Sequence, residues 1–158
     1  MAKKILVCLD GSRVAEAILP YAAEEALHGG SRIVLLQVLT GAGFVVTPGV
    51  PGVPGAPIPT RASAEQIEKE ERAAEAYLES IAQLLRKKRI AVDWVTLPGP
   101  LIGQTIVDYA RKNGIDLIAM ATHGRGGLSR VVLGSIADYV LRESGLPLFI
   151  IRPRKTER

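Results

Sequence analysis

The sequence predicts a single-domain α/β fold in which an open five-stranded parallel sheet carries helices on both faces. The chain has 158 residues, enough for one domain with a complete core. Short, almost continuously apolar segments alternate with longer segments of helical periodicity. Strands that are apolar on both sides are typical of a parallel sheet buried between helices. The order β-α-β-α-β-α-β-α-β, with right-handed crossovers, therefore predicts a doubly wound, Rossmann-like sheet.

The first strand, the first helix and the second strand are predicted within residues 3–39. Residues 3–9 contain a continuous apolar run that begins at Ile5. Asp10-Gly11-Ser12 ends this strand, and Ser12 is a suitable N-cap for a single helix. A glycine pair at positions 29 and 30 ends that helix, and residues 32–39 form the second buried strand.

The next segment differs from the rest of the chain in composition. Ten of the nineteen residues at 41–59 are Gly or Pro, and none is charged. Three Gly-x-Pro triplets occur within it, which is far too few for a collagen helix. We predict a partly extended, flexible surface loop over residues 41–62. A lid or a partner-docking loop is the alternative interpretation.

The second half of the chain repeats the alternation of helices and strands. Residues 63–88 form a long charged helix, and residues 91–97 form the third strand. One face of the helix is apolar. That face consists of Ile67, Ala74, Leu78, Ile81 and Leu85.

Two further helix–strand units complete the fold. Gly99-Pro100 opens the next helix, and residues 115–121 form the fourth strand. Ser135 and Asp138 have the spacing of a capping box at the start of the last helix. Residues 147–151 form the fifth strand. Residues 1–153 thus make up the predicted domain, and residues 154–158 form a basic tail.

Composition and charge disfavour several classes of protein. The single cysteine, Cys8, rules out a disulfide framework within one chain, and a free thiol suits a reducing cytoplasm. The N-terminal apolar run is too short for a signal peptide, and no apolar stretch reaches membrane-spanning length. The formal net charge is +4, but the basic cluster at 86–89 and the tail lack interleaved aromatic residues. We therefore expect a cytoplasmic protein with neither a membrane nor a nucleic-acid partner.

Residues 120–135 carry the strongest functional signal, because a glycine-rich stretch lies between a buried strand and a helix. Glycines let backbone N–H groups turn inward and let a phosphate come close, and the helix N-terminus adds its positive dipole end. The ligand crevice of such sheets lies at the carboxyl ends of the strands, where Asp10, Val38 and Met120 are found. The alternative is that these glycines serve only a tight turn and a helix cap.

Two common nucleotide motifs are excluded. The sequence contains no P-loop of the form G-x-x-x-x-G-K-[ST]. The dinucleotide motif G-x-G-x-x-G fails because Ser129 occupies the last glycine position, and the stretch follows the fourth strand rather than the first. The sequence therefore supports neither a P-loop ATPase nor a dinucleotide-binding domain.

The stretch resembles the universal stress protein family, whose nucleotide-binding members carry G-x2-G-x9-G-[ST] after the fourth strand. The frame here is Ala121-Thr122-His123-Gly124, nine residues, and then Gly134-Ser135, with Ala121 in place of the first glycine. V-C-L-D-G-S near the N-terminus, L-L-Q-V-L in the second strand and the closing apolar strand extend the resemblance over the whole chain.

The resemblance implies an ATP site. Asp10 would accept hydrogen bonds from the adenosine, and Val38 would meet adenine through its backbone. Met120 and Ala121 would pack along the nucleoside, while the glycines and Ser135 of the motif would surround the phosphates with Arg125. The full set of expected contacts is Leu9, Asp10, Val38, Met120, Ala121, His123, Gly124, Arg125, Gly134, Ser135 and Ile136. For His123 we expect hydrogen bonding within the loop and no catalytic role.

The resemblance also implies a function and an assembly. The protein would be an ATP-binding stress-response protein that acts as a nucleotide-dependent binding or signalling module, with Mg²⁺ brought by the triphosphate. A slow ATPase or phosphotransferase using the same crevice and a nucleotide-free dimeric interaction protein are the alternatives. The strand at residues 147–152 would form a homodimer, with antiparallel strand exchange at the dimer edge, because an exposed edge strand needs cover.

Overall fold

The computed structural model describes residues 3–46, 57–61, 63–122 and 133–153. The strands are β1 (Lys4–Leu9), β2 (Arg32–Leu39), β3 (Ala42–Val46), β4 (Pro57–Arg61), β5 (Val92–Pro98), β6 (Leu117–Ala121) and β7 (Leu148–Ile151). The helices are α1 (Arg13–Glu16), α2 (Leu19–Gly29), α3 (Ala64–Lys87), α4 (Ile102–Lys112) and α5 (Ser135–Glu143).

The main sheet contains five parallel strands in the order β5-β2-β1-β6-β7. The chain adds β2 and β5 on one side of β1 and then crosses over to add β6 and β7 on the other side. Ile5 of β1 lies opposite Ile33 of β2 and Leu117 of β6. The strand order therefore reverses between β1 and β6, which is the topological switch point of a doubly wound sheet. The predicted fold class is confirmed.

Alternate strand residues contribute to two hydrophobic cores, one on each face of the main sheet. Ile5, Val7 and Leu9 belong to the first core, with residues of α1, α2 and α3. Leu6 belongs to the second core, with residues of α4 and α5. All four side chains are at most 5% exposed. Helices therefore cover both faces, as the continuous apolar strands predicted.

The segment after β1 contains two helices rather than the single helix that we predicted. Ser12 is the N-cap of α1, and its Oγ accepts the Ala15 N–H at 3.1 Å. A proline, Pro20, lies in the first turn of α2. Because proline has no N–H, it cannot donate to the Glu16 carbonyl, and a continuous helix is interrupted there.

The Gly/Pro-rich segment, which we predicted as a partly extended surface loop, contains a short antiparallel pair of strands. Strand β3 pairs with β4, with Ala42 opposite Arg61 and Val46 opposite Pro57. The prolines of β4 alternate with Ile58 and Thr60, so N–H donors remain at every second position for pairing with β3. We predicted a partly extended loop over residues 41–62 and did not predict the pairing of its two ends. Residues 47–56 and 62 lie outside the described residues.

Helix α3 is held by a capping box that we did not predict. Ser63 Oγ accepts the Gln66 N–H at 3.2 Å, and Gln66 Oε1 accepts the Ser63 N–H at 2.9 Å. The predicted apolar face is buried from Ala74 onward, whereas Ile67 is 42% exposed because it precedes the turns that pack on the sheet. Among the described helices, none is long and apolar enough to cross a membrane.

Candidate functional site

A cavity of about 860 Å³ opens at the carboxyl ends of the parallel strands, beside the switch point between β1 and β6. The ends of β1, β2 and β6 form one side, and the first turns of α4 and α5 form the other. This is the position at which ligands bind doubly wound sheets, and the volume suits a small-molecule ligand.

The structure brings eight of the eleven residues expected from the sequence to this one cavity. The eight are Leu9, Asp10, Val38, Met120, Ala121, Gly134, Ser135 and Ile136. The other three, His123, Gly124 and Arg125, lie outside the described residues.

The side of the cavity formed by the strands is apolar. Cys8 lies opposite Leu36 in register, and Val38 and Met120 continue the lining. Cys8 is half-buried, and desolvation raises the pKa of its thiol to about 12, so this side chain brings no charge to the cavity. Ile106 of α4 adds a further apolar side chain. An uncharged, apolar group is therefore better accommodated here than a charged one.

Sequence analysis missed part of this lining. Cys8, Ile102 and Ile106 line the cavity, and none of them is among the contacts expected from the sequence. The signal in the sequence was the alternation of side chains along a strand. Leu6 and Cys8 lie two residues apart in β1, so they point to the same face of the sheet, which α4 covers. This alternation identifies the face of the sheet, but only the crossover from β5 to β6 places α4 beside the ends of β1 and β2.

Asp10 lies at the rim of the cavity and closes the turn after β1. Its Oδ1 accepts the Ser12 N–H at 2.8 Å, which closes the turn between β1 and α1. Its side chain is exposed and lines the cavity. Within the described part of the chain, no hydrogen bond uses Oδ2. The turn therefore holds the carboxylate in place and leaves one oxygen to accept a hydrogen bond from a ligand.

Ala121 stands where the family pattern has glycine, and its backbone is that of an ordinary strand. It lies in β6 and pairs with Ile151 of β7. The only non-glycine residue with positive φ in the described ranges is Arg89. The Ala121 side chain packs against the first core. An extended backbone accepts alanine without strain, so the backbone at this position does not require glycine.

The N-terminus of α5 reaches the cavity without a side-chain cap. Gly134 is the N-cap, and its carbonyl accepts the Asp138 N–H at 2.9 Å. The predicted capping box between Ser135 and Asp138 is not formed, because Ser135 already lies inside the helix, and the Asp138 carboxylate instead pairs with Arg142 at 3.0 Å. The N–H groups of residues 135–137 have no partner within the helix, so they and the dipole favour an anion here.

Thr122 is a site residue that sequence analysis did not single out. It follows β6 directly, is 6% exposed and lines the cavity. Its Oγ1 accepts the Gly134 N–H at 2.9 Å, which joins the end of β6 to the start of α5. Thr122 occupies an unspecified position of the motif, so the pattern of glycines did not draw attention to it.

Fold and cavity together define an α/β protein with a cavity at the switch point of a doubly wound sheet. The family model described as "Universal stress protein family" matches residues 1–152, and the chain therefore belongs to the universal stress protein family. Among its relatives, universal stress protein MJ0531 of Methanocaldococcus jannaschii is 28% identical over 161 residues, covering 98% of this chain and 85% of that protein.

Solved structures of the family have the same fold. Universal stress protein UspA from Lactobacillus plantarum aligns with a TM-score of 0.71 and 25% identity, covering 95% of this chain and 97% of that chain. The universal stress protein from Archaeoglobus fulgidus in complex with dAMP aligns with a TM-score of 0.64 and 21% identity, covering 96% of this chain and 98% of that chain.

Proposed function

We propose that this protein binds ATP with Mg²⁺ in the cavity and acts as a nucleotide-dependent binding or signalling module of the stress response. The observation that carries the proposal is the combination of an apolar wall and an uncapped helix N-terminus within one cavity. The wall suits a base, and the helix end suits phosphates. The dAMP complex of the Archaeoglobus fulgidus relative supports an adenine nucleotide as the ligand class.

The proposed pose follows from the chemistry of the lining. The base packs along Val38 and Met120, and Asp10 Oδ2 accepts a hydrogen bond from the adenosine. The phosphates lie at the N–H groups of residues 135–137, which have no partner within the helix. Gly124 and Arg125 are assigned to the phosphates by the family motif alone.

Mg²⁺ enters the proposal as a companion of the triphosphate. In the described ranges, no group of three or more His, Cys, Asp or Glu side chains is placed to hold a metal. We therefore assign its ligands to phosphate oxygens and water, as is usual for this ion. Titrations of ATP in the presence of Mg²⁺, with and without a chelator, test whether the ion takes part in ATP binding. Equal ATP affinities would contradict its participation.

The test of the nucleotide site uses Ser135, which is exposed in the first turn of α5. Ser135→Asp places a negative charge where the phosphates are proposed, and the same charge favours the helix dipole. We expect this variant to keep its thermal stability and to lose ATP affinity about tenfold or more, since about 1.4 kcal/mol of repulsion is sufficient. Ser135→Asn is the uncharged control of similar size.

Calorimetric titration with ATP and with adenosine separates the outcomes. Adenosine should bind Ser135→Asp and the wild type equally, because it carries no phosphate. An unchanged ATP affinity in Ser135→Asp would refute the phosphate assignment, and no ATP binding by folded wild-type protein at millimolar ligand would refute the function. ADP released by repurified protein would favour the enzymatic alternative.

We also propose a homodimer through the strand at residues 147–152. The N–H groups of Ile118 and Thr122 donate to the carbonyls of Pro147 and Ile151. The backbone N–H and C=O groups of the odd-numbered residues in this segment therefore face β6. The backbone groups of Leu148 and Ile150 therefore face the other edge of β7, which ends the described main sheet. All four β7 side chains are only half-buried, and pairing with a second copy would cover this edge.

Light scattering at micromolar concentration tests the dimer. Ile150→Pro removes an N–H from the open edge and leaves the bonds to β6 in place, so we expect a folded monomer. Ile150→Val keeps the N–H and should remain dimeric. A monomeric wild type would refute the dimer.

A cytoplasmic location completes the proposal, because the free Cys8 thiol suits a reducing compartment, and cell fractionation tests it.

A further inference from the structure

The hydroxyl of Thr122 has a hydrogen-bond donor that the protein does not use within the described ranges. A threonine hydroxyl accepts through its lone pairs and donates one hydrogen. One lone pair is engaged by the Gly134 N–H at 2.9 Å, and among the described residues no acceptor takes the hydrogen. The side chain is 6% exposed and lines the cavity, so a ligand in the cavity is within reach of this hydroxyl.

The backbone around Thr122 fixes the position of the hydroxyl. The Thr122 N–H donates to the Ile151 carbonyl of β7 at 2.9 Å, so the residue is held at the carboxyl end of β6. The bond from the Gly134 N–H at 2.9 Å holds the hydroxyl oxygen itself. A buried donor held at two points is preorganised for an acceptor on a ligand.

The same contact changes the role of Gly134. Its N–H is used by Thr122 and cannot be given to a phosphate. Its φ is −59°, which any residue adopts, so the backbone conformation does not explain the glycine. A Cβ at this position would lie 3.0 Å from Thr122 Oγ1, and the glycine therefore makes room for the hydroxyl.

We propose that Thr122 is a positioning residue of the nucleotide site, which anchors the N-terminus of α5 through Gly134 and directs its own O–H at a phosphate oxygen. Among the described residues, the donors offered to the anionic end of the ligand are then the Thr122 O–H and the N–H groups of residues 135–137, without that of Gly134. This inference rests on the proposed nucleotide binding and deepens it, since it assigns the specificity for the phosphate end to a side chain.

The experiment compares Thr122→Val with Thr122→Ser in the full chain. Valine has a similar shape but can neither accept from Gly134 nor donate to the ligand, whereas serine retains both functions. With ATP and adenosine as probes, we expect Thr122→Val to weaken ATP binding about tenfold or more and adenosine binding less than about threefold. Thr122→Ser should bind ATP within about threefold of the wild type.

Hydrogen exchange of the Gly134 amide, followed by NMR without ligand, tests the anchor separately. Exchange should accelerate in Thr122→Val and stay slow in Thr122→Ser, because only serine keeps an acceptor for that N–H. Gly134→Ala provides a second variant. It should weaken ATP binding in the wild-type background and have little further effect combined with Thr122→Ala, since the crowded hydroxyl is then absent.

The outcomes distinguish this inference from the proposed function. An equal loss of ATP and adenosine binding in Thr122→Val would show a merely structural role and overturn the inference, as would unchanged exchange at Gly134. If the wild type binds neither ligand, the proposed function fails together with the phosphate contact, and the exchange data alone then decide whether Thr122 anchors α5.

Discussion

Replacing Ala121 with glycine restores the residue that the family pattern has at this position, and the structure predicts a loss of stability without a gain in affinity. The substitution affects a residue that is half-buried in β6 and paired with Ile151. Glycine in a strand costs about 0.5–1 kcal/mol relative to alanine through backbone entropy. Removing a half-buried methyl group adds about 0.4 kcal/mol, half the value of a fully buried group.

These two contributions sum to about 1 kcal/mol, which corresponds to a decrease in Tm of about 3 °C for a chain of this size. The affinity for ATP should change by less than about twofold, because the Ala121 methyl packs against the first core and the backbone is already extended. Differential scanning calorimetry measures the first effect, and isothermal titration calorimetry measures the second.

Ala119→Gly is the matched control. Ala119 lies in the same strand, points to the same core and is 0% exposed, so the same change should cost more stability and leave ATP binding unaltered. A gain in ATP affinity of about tenfold in Ala121→Gly, without a gain in Ala119→Gly, would refute the reasoning. It would show that the methyl group occupies space needed by the ligand.

Three further predictions follow from individual groups. The pKa of Glu79 is lowered from its ordinary 4.5, chiefly by the hydrogen bond from Trp94 Nε1 at 2.6 Å. The contribution of Glu79 to stability is therefore present at neutral pH and is lost as the pH falls through the lowered pKa of the folded state. Trp94 fluorescence in denaturant titrations at different pH values measures this loss of unfolding free energy. Burial raises the pKa of the Cys8 thiol to about 12, so the reactive thiolate is scarce at neutral pH and thiol reagents should react slowly. Arg89 has a φ of 62°, so Arg89→Gly should raise the unfolding free energy by about 0.5 kcal/mol in denaturant titrations.

Each of these predictions has a result that contradicts it. The unfolding free energy of Glu79→Gln should fall less at acid pH than that of the wild type. An identical dependence of the unfolding free energy on pH would exclude Glu79 as the source of this loss. Reaction of Cys8 at the rate of an exposed cysteine would show that the thiol is not desolvated. Equal stability of Arg89→Gly and Arg89→Val would show that residue 89 is not strained, because a β-branched side chain is disfavoured at positive φ.

The sequence predicted the main sheet well because its strands are apolar on both sides, a pattern that depends on burial and not on the particular neighbours. It failed where local chemistry competes with that pattern. Pro20 interrupts a helix whose apolar spacing is continuous. The prolines of β4 disfavour a strand by composition, yet their alternation leaves the donors of Ile58 and Thr60 available. Such outcomes depend on which backbone groups find partners, and composition does not show this.

The candidate site divides in the same way. The sequence by itself determined that a glycine-rich stretch follows a buried strand and that Asp10 and Val38 lie at the ends of two others, because these are local features of the chain. Only the tertiary structure decided that the strand order reverses between β1 and β6, which brings the ends of the strands to one cavity. It also decided that Thr122 takes the Gly134 N–H, because that bond joins residues separated by the whole glycine-rich stretch and depends on how α5 packs at the sheet edge.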